Sequence, residues 1–155
     1  YGGVYSDLTQ IFKVPFNEII DFKKDKLVLV EDAMINNCRR IRGIQINFIA
    51  SYPRENIFLQ AIDKIIKKVK NNYYGECSLS PTGPLLFRRV YELYGPKARI
   101  ELIQKKGENA FVYNKLTGKI IYFNKSSDHN ININKNKSNN YDTIWKNGGI
   151  YNNHL

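Results

Sequence analysis

Four polar groupings interrupt an otherwise aliphatic and aromatic chain: Asp7 in "YGGVYSD", Asp32 in "LVLVED", Asn47 in "INFIAS", and Thr82-Gly83-Pro84 in "SPTGPLLF". Each stands at or near the end of a predicted strand or helix. In an α/β sheet that is where ligands tend to bind. Each also has a structural reading: Asp7 as a solvated strand-end residue, Asp32 as a strand-end cap, Asn47 as a partner for backbone groups, and "TGP" as a helix start. Taken together, they are what a polar ligand cleft over a sheet requires. Other chemistries are not written in the chain. It has no His/Cys cluster with zinc spacing, no Gly-x-Ser-x-Gly and no P-loop, and "GGVYSD" is not a dinucleotide fingerprint. Cys38 and Cys77 are far apart and form no metal spacing. Two free thiols in a reducing compartment are the default expectation, with a single disulfide as the alternative.

The elements that must position these groups can be read from periodicity. Tyr1, Val4 and Tyr5 are strand formers after or beside the punctuation of Gly2-Gly3, which predicts a turn and a buried strand ending at Asp7. "PFNEIIDF" (15–22) reads as a short helical turn that Pro15 can start. "KLVLVED" is a buried strand ending at Glu31-Asp32. In "RGIQINFIAS", Ile44, Ile46 and Phe48 alternate with Gln45 and Asn47, so one face is expected to be apolar and the other polar. "RENIFLQAIDKIIKKVKNNYY" is the clearest helix, with Ile57, Phe58, Ala61, Ile62, Ile65, Ile66 and Val69 in one stripe and Lys64, Lys67, Lys68 and Lys70 mostly opposite. A membrane-surface helix has the same pattern, but a core-packing helix with a solvated lysine face is the commoner case. "TGPLLFRRVYELYG" is a second helix, with Thr82 as a cap, Pro84 in the first turn and Gly95 at the close. "NAFVYNKLTGKIIYFN" reads as a hairpin turning near Leu116–Gly118. Residues 124–140 are polar and low in complexity, and read as a loop. Structure is expected to resume at "YDTIWKNGGIY". The chain therefore divides into an α/β domain (1–123), that loop, and a C-terminal segment of the same domain (141–155).

Composition is consistent with one globular domain: 155 residues, 43% hydrophobic and 13% aromatic. No apolar run is long enough to span a bilayer. The net charge of +10 invites a nucleic-acid reading, but the lysines are scattered through "DFKKDK", "DKIIKKVK", "IQKKG" and "NKNK". A solvated basic surface accounts for them better than a phosphate track. The chain opens on Tyr rather than Met and shows no secretory signal, as a fragment or processed piece would.

The order "YGGVYSDL", "LVLVED", "INFIASYPRENIFLQAIDKII", "SPTGPLLF" and "YDTIWKNGGIY" resembles the glycosyltransferases with a DXD sugar-binding region. That family includes fungal Golgi mannosyltransferases that initiate outer chains, and relatives from capsular-polysaccharide synthesis and large viruses. The resemblance spans nearly the whole chain but is dense only at the motifs. It implies a GT-A fold, a Rossmann-like sheet binding a nucleotide sugar, usually with a divalent metal (Mn2+ or Mg2+) on the diphosphate, and transfer to a glycan or other hydroxyl acceptor with retention of configuration. The acid after "GG-x-Y-x" begins an Asp-x-Asp pair in the family and holds the ribose and the metal; here the pair is Asp7-Leu8-Thr9, so only its first member matches. Thr9 is a neutral and poorer ligand, which makes the expected metal binding weak or donor-dependent, although strand alternation would still point Asp7 and Thr9 the same way. Asn47, Thr82 and Gly83 would line the donor or acceptor side.

Relatives often carry a His near the aromatic pair of the last segment. In this chain Asn140 or Asp142 would supply an oxygen in its place, and His129 and His154 are read as bystanders. The family also places a nucleotide-binding half before "YGG", which in this case would lie upstream of Tyr1. The rival functions are a degenerate domain that holds a glycan without turnover and, on net charge alone, a basic nucleic-acid-binding module. The location is cytoplasmic by default, or the Golgi lumen if a longer parent carries a leader.

Overall fold

A computed structural model describes residues 1–35, 41–95, 98–105, 110–124 and 141–151. Its elements follow the order β1 (Gly3–Ser6), β2 (Gln10–Phe12), α1 (Phe16–Ile19), β3 (Leu27–Ile35), β4 (Ile41–Ser51), α2 (Asn56–Lys70), α3 (Pro84–Tyr94), β5 (Arg99–Lys105), β6 (Phe111–Asn114), β7 (Ile120–Asn124) and α4 (Tyr141–Lys146). The chain is thus a mixed α/β protein. Its seven strands form one sheet in the order β1-β4-β3-β5-β6-β7-β2. Only β3 and β5 pair in parallel; the other neighbours are antiparallel. The described sheet is therefore not the mainly parallel, Rossmann-like one expected.

The first two strands lie at opposite ends of this order, although only Asp7–Thr9 connect them. So short a link forces the sheet to curl until its two ends meet. Aromatic contacts across the inside agree: the Phe12 ring of β2 lies 5.7 Å from Phe48 of β4 and 5.1 Å from Tyr122 of β7. Alternation along β3 then sorts the core into two. Val28 and Val30 face inward, with Phe48, Ala50, Leu102, Val112 and Tyr122, and the α1 segment adds Val14, Ile19 and Ile20. Leu27 and Leu29 face outward with Ile44, against Ile57 and Ala61 of α2 and Leu86, Phe87 and Val90 of α3.

Several expectations change at this level. β1 is half-exposed rather than buried, because its odd residues face out of the curl. β3 runs past Asp32 to Ile35. The even residues of β4 do not share a face: Leu29 pairs with Ile49 but Val30 pairs with Gln45, a bulge that switches the strand between its two ends. Phe48 therefore packs inside, Ile44 packs outside under the helices, and Ile46 is exposed. On α2 only Ile57 and Ala61 are fully buried, while Leu59, Ile62, Ile66 and Val69 form an exposed ridge. The apolar arc is simply wider than the surface beneath it. Lys68 leaves the solvated face, donating to the Ser80 carbonyl and lying 4.6 Å from the Tyr73 ring centroid.

α3 starts at Pro84 as expected, but its cap is Gly83, with no side-chain cap bond, and Thr82 is exposed. The hairpin is as read. Asn114 Oδ1 accepts from the amides of Leu116 and Thr117, and Gly118 takes φ +70°, which suits glycine. Of the polar stretch, Asn124 belongs to β7 and 125–140 lie outside the described residues. Cys77 is disulfide-bonded, not a free thiol, and Cys38 lies outside the described residues. Among the described residues no helix is long and apolar enough to cross a membrane.

Candidate functional site at one end of the curled sheet

Strand direction and alternation together place a polar layer over the apolar interior. β1, β3, β5 and β7 run one way, and β4, β6 and β2 the other. Moving toward the carboxyl ends of the first set, Val28 and Val30 give way to Asp32, Leu102 to Gln104, and Val4 to Ser6. On the opposing strands Phe48 gives way to Asn47 and Gln45, and Phe12 to Gln10. The polar side chains all belong to the end where β1 runs into Asp7.

Hydrogen bonds tie this layer together. The Ser6 hydroxyl donates to Gln10 Oε1 at 2.6 Å, and Gln10 Nε2 donates to the Asn47 carbonyl at 2.8 Å. The Tyr122 hydroxyl donates to Asn47 Oδ1 at 3.3 Å. Gln45 Nε2 donates to Asp32 Oδ1 at 3.0 Å and also to Gln104 Oε1. Asp32, 5% exposed, and Gln45, 9% exposed, are buried polar residues. Burial pushes the Tyr122 hydroxyl far above the ordinary tyrosine range, and the charges of Asp7 and Asp32 add to the shift, while a hydrogen bond from Gln10 opposes it. Two carboxylates, one after β1 and one on β3, thus bear on one hydroxyl.

Asp7 follows β1 directly, at the strand's carboxyl end, as expected. Its amide donates to the Asn47 carbonyl at 2.9 Å and its carbonyl accepts from Gln10 at 3.3 Å. Its side chain is half-buried and accepts a 2.7 Å bond from the Tyr5 hydroxyl, which with the carboxylate's charge raises the Tyr5 pKa. Thr9, however, is in the exposed turn to β2 rather than on a strand, so alternation does not align it with Asp7.

The helix start and the C-terminal segment come to the same end by other routes. Gly43, on β4 beyond Gln45, lies so close to Pro84 that a Cβ there would sit 2.7 Å from the proline's Cβ. Thr82 and Gly83 are therefore held beside Gly43, although among the described residues no hydrogen bond joins them to Asp7 or Asn47. The α2–α3 connection carries the C-terminal segment. Trp145 Nε1 donates to the Tyr74 carbonyl at 2.8 Å and the Tyr151 hydroxyl to the Tyr73 carbonyl at 2.9 Å. The Tyr74 hydroxyl donates to the Gly148 carbonyl, and the Tyr74 and Tyr151 rings meet edge to face at 5.3 Å. Asp142 lies on α4, but its side chain, like all of Asn140, is outside the described residues.

Among the described residues no group of three or more His, Cys, Asp or Glu side chains is arranged to hold a metal ion. Asp7 offers one partly open carboxylate, and a hard divalent cation takes six or more oxygens. Most of an ion's shell would have to come from a ligand. No family model, curated protein or solved structure matches this chain.

Five members of the layer, Ser6, Gln10, Gln45, Gln104 and Tyr122, are not among the sequence-predicted site residues. For the last three the signal was present: "GIQINF", "ELIQK" and "IIYFN" each carry a polar group inside an aliphatic strand run. A lone polar residue in such a run must find partners across the sheet.

Proposed function

We propose that this chain is part of a retaining glycosyltransferase of the GT-A type, which moves a sugar from a nucleotide-sugar donor to a hydroxyl of a glycan or another acceptor. One observation carries the reading. Asp7 and Asn47 meet at one end of a sheet, beside a polar layer rich in hydrogen-bond acceptors, and the start of α3 packs on Gly43 of the strand that carries Asn47. That is the surface a ligand rich in hydroxyl donors needs.

In this reading Asp7 contacts the donor ribose and a divalent ion, and Asn47, Thr82 and Gly83 line the sugar or acceptor side. Such an ion neutralises charge on the departing diphosphate. Asp7 would hold it with an oxygen from Asn140 or Asp142, the diphosphate itself completing the shell. In this reading the nucleotide-binding strands belong to a segment upstream of Tyr1 in a longer protein and are separate from the curled sheet. The test is release of nucleoside diphosphate from a panel of uridine and guanosine diphosphate sugars by the full-length protein, with and without Mn2+. Turnover that disappears in Asp7→Ala is expected; no turnover with any donor and acceptor would remove the reading.

A second reading, a glycan-binding domain without turnover, is favoured by the exposed position of Thr9 where the family has an acid. Saturable glycan binding by a protein that never consumes a donor would select it.

A further inference from the structure

Within the polar layer, hydrogen-bond acceptors outnumber donors at one place. Gln45 Oε1 is buried and has no hydrogen-bond partner among the described residues. Turning the amide over does not repair this. The Nε2 group already donates to both Asp32 Oδ1 and Gln104 Oε1, so the reversed amide would press its carbonyl oxygen against two other acceptors. Beside it, Asp32 is a buried carboxylate whose side chain has a single neutral donor, Gln45, and no ion-pair partner among the described residues. Two arginines pair with its chain neighbour instead: Arg42 and Arg88 reach Glu31, at 3.6 and 3.5 Å. A buried charge and a buried carbonyl lacking donors are both costly, and native proteins match such groups with something.

We infer that Asp32 and Gln45 form a hydroxyl-recognition subsite, which receives O–H donors from the sugar being transferred. A sugar supplies several neutral donors at close spacing, and so complements a carboxylate and an amide oxygen without needing further charge. A divalent cation fits less well, because two protein oxygens fall far short of its shell. A site built to accept a hydroxyl also rejects ligands that lack it, since its acceptors are then left unmatched. The pair would therefore set which sugar is accepted, while Asp7 faces the nucleotide side. The identity of the ligand rests on the glycosyltransferase reading above.

The experiment is calorimetry on the full-length protein with Mn2+, comparing UDP and GDP against UDP-glucose, UDP-galactose and GDP-mannose. Wild type, Asp32→Asn and Gln45→Met are titrated, with Gln45→Glu as a second conservative variant. Asp32→Asn keeps an acceptor for Gln45 Nε2 and removes only the charge and the other free oxygen. The expected result is a loss of about tenfold or more in affinity for the preferred nucleotide sugar. Affinity for the matching nucleoside diphosphate should stay within about twofold, which also reports that the fold is intact. Equal weakening of both ligands, or no weakening of either, would overturn the subsite. So would a crystal structure of the complex in which the sugar lies elsewhere and a water occupies Gln45 Oε1. A wild type that binds none of the five ligands would overturn the glycosyltransferase reading, and the subsite with it.

Discussion

The backbone amide of Asp7 donates to the carbonyl of Asn47 at 2.9 Å, and this bond fastens the β1–β2 turn to the bulge of β4. Main-chain atoms make the attachment, so the Asp7 carboxylate is left to the Tyr5 hydroxyl and to whatever binds above the sheet.

That division of labour predicts the outcome of Asp7→Ala. Loss of a part-exposed side chain should change stability by no more than about 0.5 kcal/mol. Turnover in the full-length protein should fall by about a hundredfold or more if the carboxylate holds an ion on the leaving diphosphate. Thermal unfolding and diphosphate release, measured on the same preparation, check both halves. A variant that unfolds early would mean that the side chain is structural.

Thr9 makes the metal prediction specific. With the position exposed in a turn and no acidic cluster nearby among the described residues, Mn2+ should bind negligibly without nucleotide. Thr9→Asp should raise its affinity by roughly tenfold by adding an anionic oxygen ligand. Titrations of both forms, with and without donor, decide it. Strong metal binding by the unliganded wild type would show that other residues make the site.

Tyr122 should make the protein sensitive to alkali. Its hydroxyl titrates higher in the folded chain than in the unfolded one, chiefly through burial. The folded state then holds the proton that the unfolded state releases above about pH 10, so this contribution to stability is complete below pH 10 and declines as pH rises beyond it. In Tyr122→Phe the decline between pH 10 and 11.5 should be shallower than in wild type. Parallel unfolding curves for the two proteins would show that the hydroxyl is not protected.

Lys68 acts in the opposite sense. Burial first, then the charges of Arg89 and Lys64, lower its pKa to about 8. Between about pH 8 and 10.5 the unfolded chain holds a proton that the folded chain has lost, so this group adds stability as pH rises. Lys68→Met should remove that rise, and denaturant midpoints at pH 7.5, 8.5 and 9.5 would show it. A rise that persists in the variant would assign it to another group.

The elements were largely legible in the sequence because local chemistry decides them. Pro84 and Gly95 bound α3, and "NKLTG" carries the Asn114 and Gly118 that its turn uses. The placement of Asp7 at a strand's carboxyl end was legible for the same reason. What could not be read depends on partners distant in sequence. The bulge that separates Ile44 from Phe48 is a shift in the pairing of β4 with β3, just before the stretch of β4 that pairs with β1. The burial of Gln45 beside Gln104 likewise requires two residues 59 positions apart.

Gly43 allows a test of the helix start that leaves every polar site residue unchanged. An added methyl would meet the Pro84 Cβ at 2.7 Å and its carbonyl carbon at 3.2 Å. Gly43→Ala should cost about 1–3 kcal/mol by overpacking, and should lower turnover beyond what the lost stability explains, by shifting Thr82 and Gly83. Unaltered stability would show that the helix end can yield.

The ring-like order of the sheet has a consequence for how the chain assembles itself. β2 spans Gln10–Phe12, yet its strand partner among the described residues is β7, with Gln10 opposite Asn124. During synthesis its backbone must wait for nearly the whole described domain to emerge. β1 waits less long, for β4. Closing so long a loop is entropically slow, and such non-local pairings form late in folding. Until the last strand arrives, the aromatic interior around Phe12, Phe48 and Tyr122 stands open along one side. Residues 3–12 are thus among the last part of this sheet to be sealed, and the Asp7 turn acquires its final geometry only when the sheet closes.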